Sequence, residues 1–242
     1  MRGTLMLTQA ELKRLFRNKR YFLFTVLLPV VLYLLLARQV SASVYGVSFR
    51  AFYMVDMAML GAFSGALNGN AIRISQEKKE GWIRQLRLTP LPANAYVISK
   101  IIVSMATTVV SIVIVLLLGR FYGGVHLPVW EWFAVAFIVW FSATIFAALA
   151  VAIGYNFAPD QVQPITMMAY LGFAILGGIW YPLSGALRKV SEVTPTYQAV
   201  KLGTDVIQGS AVSAGLVIGL VVWLGIFIGL AIMAVRATAE TV

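Results

Sequence analysis

The chain has 242 residues, 60% of them hydrophobic and 12% charged, against about 45–50% and about 25% in soluble domains, which excludes a water-soluble globule. Cysteine is absent, so disulfide scaffolds, thiolate metal sites and cysteine nucleophiles are excluded as well. The 19 Lys and Arg outweigh the 9 Asp and Glu, for a net charge of +10, a surplus that suits nucleic acid or anionic lipid until the placement of the charges decides.

Apolar runs of spanning length occur at about 21–37, 51–72, 97–119, 132–154, 164–181 and 213–235. Each is bounded by charge, proline or polar clusters, which predicts an all-α membrane protein with six transmembrane helices forming a single transmembrane domain. An even number of spans puts both termini on one side. With the termini inside, the inner basic residues are Arg2, Lys13, Arg14, Arg17, Lys19, Arg20, Arg73, Lys78, Lys79, Arg84, Arg87, Lys100 and Arg236. Only Arg38, Arg50, Arg120, Arg188, Lys189 and Lys201 then lie outside. That asymmetry places both termini in the cytoplasm and assigns the positive surplus to lipid rather than nucleic acid.

Thr8-Gln9-Ala10-Glu11 has the form of a capping box and opens a helix over about 9–19. Leu12, Leu15 and Phe16 form an apolar stripe on it, and Lys13, Arg14, Arg17 and Lys19 cover the remainder, the pattern of a helix lying in a headgroup layer. Flanking positive-inside charge is the plainer alternative. The run from Tyr21 to Ala37 exceeds the ~7–15 residues of a signal-peptide core, so it reads as a retained first span despite a weak small-residue site at Val40-Ser41-Ala42. Pro29 is expected to kink it. In the second span Asp56 lies a little inside the outer end and must face protein or water. Gly61, Gly65 and Gly69 form two overlapping small-residue steps that admit a close neighbour, while Asn68 and Asn70 serve either packing or a cargo path.

The loop after that span, from Ser75 to Pro92, is the most informative stretch. Glu77 and Glu80 suit the positive end of a short helix, and Pro90 and Pro92 stop it, giving an exposed rod of about three turns. Trp82 and Leu86, with Ile83 beside them, form an apolar knob flanked by Arg84 and Arg87. Such a knob either invites a partner or anchors in headgroups. The string Glu77-Lys78-Lys79-Glu80-Gly81-Trp82-Ile83-Arg84-Gln85-Leu86-Arg87-Leu88-Thr89-Pro90 resembles the cytoplasmic loop of ABC type-2 transporter permeases, as do the span layout and the basic N-terminal helix. The resemblance implies that this loop is a coupling helix docking into a separate ATPase subunit, with Glu77, Glu80, Gly81, Gln85, Leu86, Thr89 and Pro90 in the docking segment. Trp82 departs from the family, which more often has a small or hydroxylated residue there.

Farther along, His126 is the lone histidine and cannot build a metal or catalytic site by itself; Glu131 reads as a helix-start carboxylate. Gly177-Gly178 loosens the end of the fifth run. Between Tyr181 and Gly209, Leu183, Leu187 and Val190 recur at helical spacing, and Pro195 opens a second run with Tyr197, Val200, Thr204 and Ile207. Two short helices dipping toward the outer leaflet are expected over 182–209, with an ordinary loop as the alternative. The type-2 family carries such a re-entrant pair here; Pro182, Pro195, Tyr197 and Lys201 belong to it, Lys201 standing where the family often has arginine.

No phosphate-cradling Gly-x-x-x-x-Gly-Lys-Ser/Thr occurs, so the chain is expected to be no enzyme by itself and to hold no cofactor or metal. The resemblance places ATP and Mg on the partner ATPase, with a second permease copy or a related chain completing the pathway. The expected function is the permease subunit of an ABC exporter in a prokaryotic inner membrane, moving a drug, lipid or lipid-linked cargo outward. A stand-alone secondary transporter or channel is the alternative, although it would want more intramembrane charge than Asp56.

Overall fold

The computed structural model describes residues 19–40, 43–44, 46–82, 85, 95–179 and 183–240; the expected interfacial helix, with Leu12, Arg14, Leu15, Phe16 and Arg17, lies outside them. In chain order come α1 (Lys19–Leu36), a hairpin of β1 (Ser43–Val44) and β2 (Val47–Ser48), α2 (Phe49–Ser64), a π-helical turn (Gly65–Gly69), α3 (Asn70–Lys79), α4 (Ala95–Phe121) and α5 (Val129–Asn156). They are followed by α6 (Pro159–Leu176), α7 (Gly185–Val193), α8 (Pro195–Ile207) and α9 (Ala214–Glu240). The architecture is that of an all-α membrane protein. Among the described residues three helical stretches are long and apolar enough to cross a bilayer unaided, Ser99–Phe121, Val129–Asn156 and Ala214–Ala237, and Thr25–Leu36 is a shorter apolar helix.

Local chemistry sets the helix boundaries. Ser48 caps α2, its Oγ accepting from the Ala51 N–H at 3.4 Å. At α6 the helix starts at Pro159, ahead of the apolar run at about 164–181, because a proline is tolerated in a first turn and the Gln161 Oε1 accepts from the Ala158 N–H at 3.3 Å. That helix ends at Leu176, short of the run's expected limit at 181, with Gly178 at φ +70° just beyond it. The second apolar run departs from expectation. It is not one α-helix: the turn at Gly65–Gly69 is π-helical, and Asn70 Nδ2 donates to the Ala66 carbonyl at 3.0 Å within it. A π turn carries one residue more per hydrogen-bonded ring than an α turn, so the Gly65/Gly69 step does not simply continue the ridge begun at Gly61.

The core is organised around α5, which packs against α2, α3, α4, α6, α8 and α9. In its most apolar stretch 61% of residues are buried, against 17% in α9 at the periphery. Ala143, Ala147, Ala148, Ala150, Ala152 and Gly154 supply much of that contact surface, the small residues that let helices approach where lipid removes the hydrophobic drive between them. Around them runs an aromatic seam: Phe63 of α2 meets Phe146 of α5 at 4.0 Å between ring centroids, and Phe146 meets Phe173 of α6 at 5.4 Å. A Cβ on Gly61 would strike Ser111 of α4 and lie 3.0 Å from the Pro29 ring of α1, so the expected close packing at Gly61 is present.

A Cβ on Gly154 would sit 2.8 Å from Ile74 Cβ and 2.9 Å from the Ala71 carbonyl, whereas Gly229 has nothing within 4 Å. Gly154→Val is therefore expected to cost about 1–3 kcal/mol by overpacking. Gly229→Ala should leave stability unchanged or raise it by about 0.5–1 kcal/mol, since alanine suits a helix interior better. Thermal unfolding in detergent, followed by near-UV circular dichroism, separates the two.

Candidate functional site

The loop singled out in the sequence grows from α3, and the way α3 ends decides what that loop can present. The helix runs to Lys79; Gly81 then turns the chain at φ +73°, and the Gln85 N–H bonding back to the Gly81 carbonyl at 3.0 Å starts a new helical turn. Glu77 and Glu80 thus close α3 instead of opening the exposed rod, a correction to the sequence reading. The physical reason lies in neighbours that the sequence does not display.

Glu77 is 2% exposed, and its Oε1 lies 2.7 Å from Nζ of Lys100, itself 1% exposed, at the inner end of α4. One turn around the helix, Ser75 Oγ donates to the Phe157 carbonyl at 2.8 Å and Lys78 Nζ donates to the Tyr155 carbonyl. These carbonyls sit at the C-terminal end of α5, where intrahelical donors run out and a cation is favoured by the helix dipole. Ile74 fills the notch at Gly154. The C-terminal end of α3 is thereby braced against α5 and α4.

Trp82 also differs from expectation. It is half-buried against the cluster of Ile74, Val151, Ala152, Tyr155, Ala231 and Ala234, and its Nε1 has no hydrogen-bond partner among the described residues. On its buried side the indole roots the loop on α5 and α9. The exposed side chains here are polar, namely Gln76, Lys78, Lys79, Glu80 and Gln85. Ile83, Arg84, Leu86, Arg87, Thr89 and Pro90 lie outside the described residues. Sequence reasoning passed over Lys100 as one more inner basic residue; the available signal was a single lysine at the head of an apolar run, 23 positions after a glutamate.

The remaining candidates fall elsewhere. Asp56 is wholly buried, and neither carboxylate oxygen has a hydrogen-bond partner among the described residues. Asn68 is half-buried in the π turn that Gly65 and Gly69 bracket. At the other end of the bundle, Thr194 caps α8 by accepting from the Tyr197 N–H at 3.3 Å, and Pro195 occupies its first turn as predicted. Thr196 Oγ1 donates to the Phe173 carbonyl at 2.7 Å, and Trp223 Nε1 donates to the Val193 carbonyl at 2.7 Å. These bonds bind α6, α7, α8 and α9 together. Lys201 pairs with Asp205 along α8, while Leu187, Val190 and Val193 leave an apolar face of α7 exposed. Pro182 lies outside the described residues.

Replacing Trp82 by alanine is expected to lower stability by about 1–2 kcal/mol, the value of a partly buried large side chain. Gln85→Ala, on the exposed side, should change it by less than about 0.5 kcal/mol. Thermal unfolding of the two purified variants reads the difference, and equal midpoints would contradict the rooted indole.

The family model for the ABC-2 type transporter matches residues 2–207. The chain is also similar to YvfS of Bacillus subtilis (strain 168), whose name describes it as a transport permease: the two are 26% identical over 206 residues, 84% of each chain. The match takes in α1 through α8, including the braced end of α3 and the capped pair α7 and α8, and on that coverage the chain belongs to the ABC-2 type transporter family.

Proposed function

We propose that this chain is the permease subunit of an ATP-driven ABC exporter, moving a hydrophobic or amphipathic cargo such as a drug, lipid or lipid-linked molecule out of the cytoplasm or inner leaflet. In this reading α1, α2 with α3, α4, α5, α6 and α9 cross a prokaryotic inner membrane six times with both termini in the cytoplasm, and α7 and α8 dip into the outer leaflet. A second copy or a related chain completes the pathway. ATP and Mg sit on a separate ATPase subunit, whose closure drives transport only through a difference in binding free energy between two arrangements of the permease.

The observation that carries the reading is the polar edge of Gln76, Lys79, Glu80 and Gln85 at the inner end of a helix that buried bonds hold in place. A soft support would absorb a push; a braced one passes it on. Leu86, Thr89 and Pro90 follow in sequence and extend the proposed dock. A second reading, a secondary transporter working alone, draws on Asp56, since an unpartnered intramembrane carboxylate is a functional candidate in its own right.

Co-purification separates the two. A tagged chain should capture an ATPase subunit, and Glu80→Lys combined with Gln85→Lys should weaken that capture by about tenfold or more, as expected when charges meet the wrong partner surface. Asp56→Asn should leave it unchanged. Undiminished capture by the double variant removes the assigned dock; uptake that proceeds in vesicles without any ATPase, and that Asp56→Asn abolishes, establishes the second reading.

A further inference from the structure

Glu77 and Lys100 hold an ion pair at 2.7 Å with both side chains essentially out of solvent. Buried pairs are weak stabilisers, and apolar residues of similar volume commonly replace them without loss. What such a pair supplies is register. Apolar surfaces slide on one another at little cost, whereas a charge leaving its partner inside a low-dielectric interior meets a steep penalty.

The location of the pair makes register matter. Among the described residues α3 packs mainly on α5 and α6, and the long side chains of Glu77 and Lys100 reach across to tie it to α4. From there α4 runs as a single 27-residue helix. Just beyond its outer end the Tyr122 carbonyl accepts from Arg38 at 2.6 Å, and the Gly123 carbonyl accepts from Arg50 at 3.4 Å. Thus α4 is gripped by charged groups at both ends, the inner grip lying four residues before Gly81, where the loop turns away from α3.

Resting on the exporter reading above, we propose that Glu77 and Lys100 are positioning residues that convey displacement of the loop beginning at Gly81 to α4, and so to the outer face, without themselves binding the ATPase. Apolar packing keeps α3 in its place, and α2 and the π turn before it pack on α4; beyond them, the ion pair is what ties the far end of α3 to α4.

The absence of cysteine permits clean spin labelling at two outer positions, Phe121→Cys beyond the middle of the bundle and Val212→Cys before α9, both exposed. The permease, reconstituted with its ATPase subunit, is measured by pulsed electron paramagnetic resonance with and without ATP and Mg. Three further variants are compared: Glu77→Gln, the apolar pair Glu77→Met with Lys100→Met, and the exchanged pair Glu77→Lys with Lys100→Glu. The apolar pair should unfold at the wild-type temperature and capture the ATPase within about twofold of wild type. Its ATP-induced change in the distance distribution should nevertheless shrink at least about fivefold, the low end of coupling strengths. Glu77→Gln should lose the change as well, and the exchanged pair should restore it. A full distance change in the apolar pair overturns the proposal, because packing alone would then transmit the motion. Loss of ATPase capture in the apolar pair overturns it too, by placing these residues in the dock. A wild-type chain that captures no ATPase overturns the underlying exporter reading instead.

Discussion

Close approach of helices to α5 is the constraint on which the other contacts depend. In lipid, apolar side chains gain nothing by leaving solvent for a neighbouring helix, so association rests on packing and on hydrogen bonds that reach between elements. The alanines and Gly154 on the inner half of α5 let α3 settle into the surface, with Ile74 against Gly154. Toward the middle the surface changes from small to aromatic: Phe63, Phe146, Phe173 and Phe227 meet with ring centroids 4.0 to 6.4 Å apart. The seam joins α2, α5, α6 and α9 at one level.

Polar bonds between elements concentrate at helix ends, for a reason of backbone accounting. The last carbonyls of each helix lack intrahelical donors and must be satisfied from elsewhere. Here other helices supply the donors: Arg38 and Arg50 for the chain leaving α4, Ser75 and Lys78 for the end of α5, Trp223 for the end of α7. Each bond satisfies a carbonyl and fastens one element to another. The result is a bundle fastened at both rims and packed by shape between them. Asp56 stands apart from this scheme, a buried carboxylate without a hydrogen-bond partner among the described residues.

The loop after the second apolar run shows how far reading residues alone carries. Its position was legible from the charged stretch that interrupts the apolar pattern, but the break at Gly81 was not, since the periodicity ran a single rod through it. Nor was the direction of Trp82. An indole between charged residues reads equally as a knob for a partner or an anchor in headgroups, and only the cluster around Ile74 and Ala231 turns it back onto the bundle. The expectation for Glu77 failed for a related reason: an acid near a helix start is a good local rule, but Glu77 lies inside α3, which runs to Lys79, and pairs with a lysine of a different helix that local spacing does not display.

Composition and the lengths of the apolar runs by themselves determined that this is a helical membrane protein and where its main helices lie. Those properties depend on neighbours a few residues away. Which side of each helix faces which other helix was left to the tertiary structure, because helices apolar all round carry almost no amphipathic signal to orient them. The π turn at Gly65–Gly69, the hub role of α5 and the bond between Glu77 and Lys100 all arise from contacts between segments far apart in the chain, and such contacts leave no trace in local spacing.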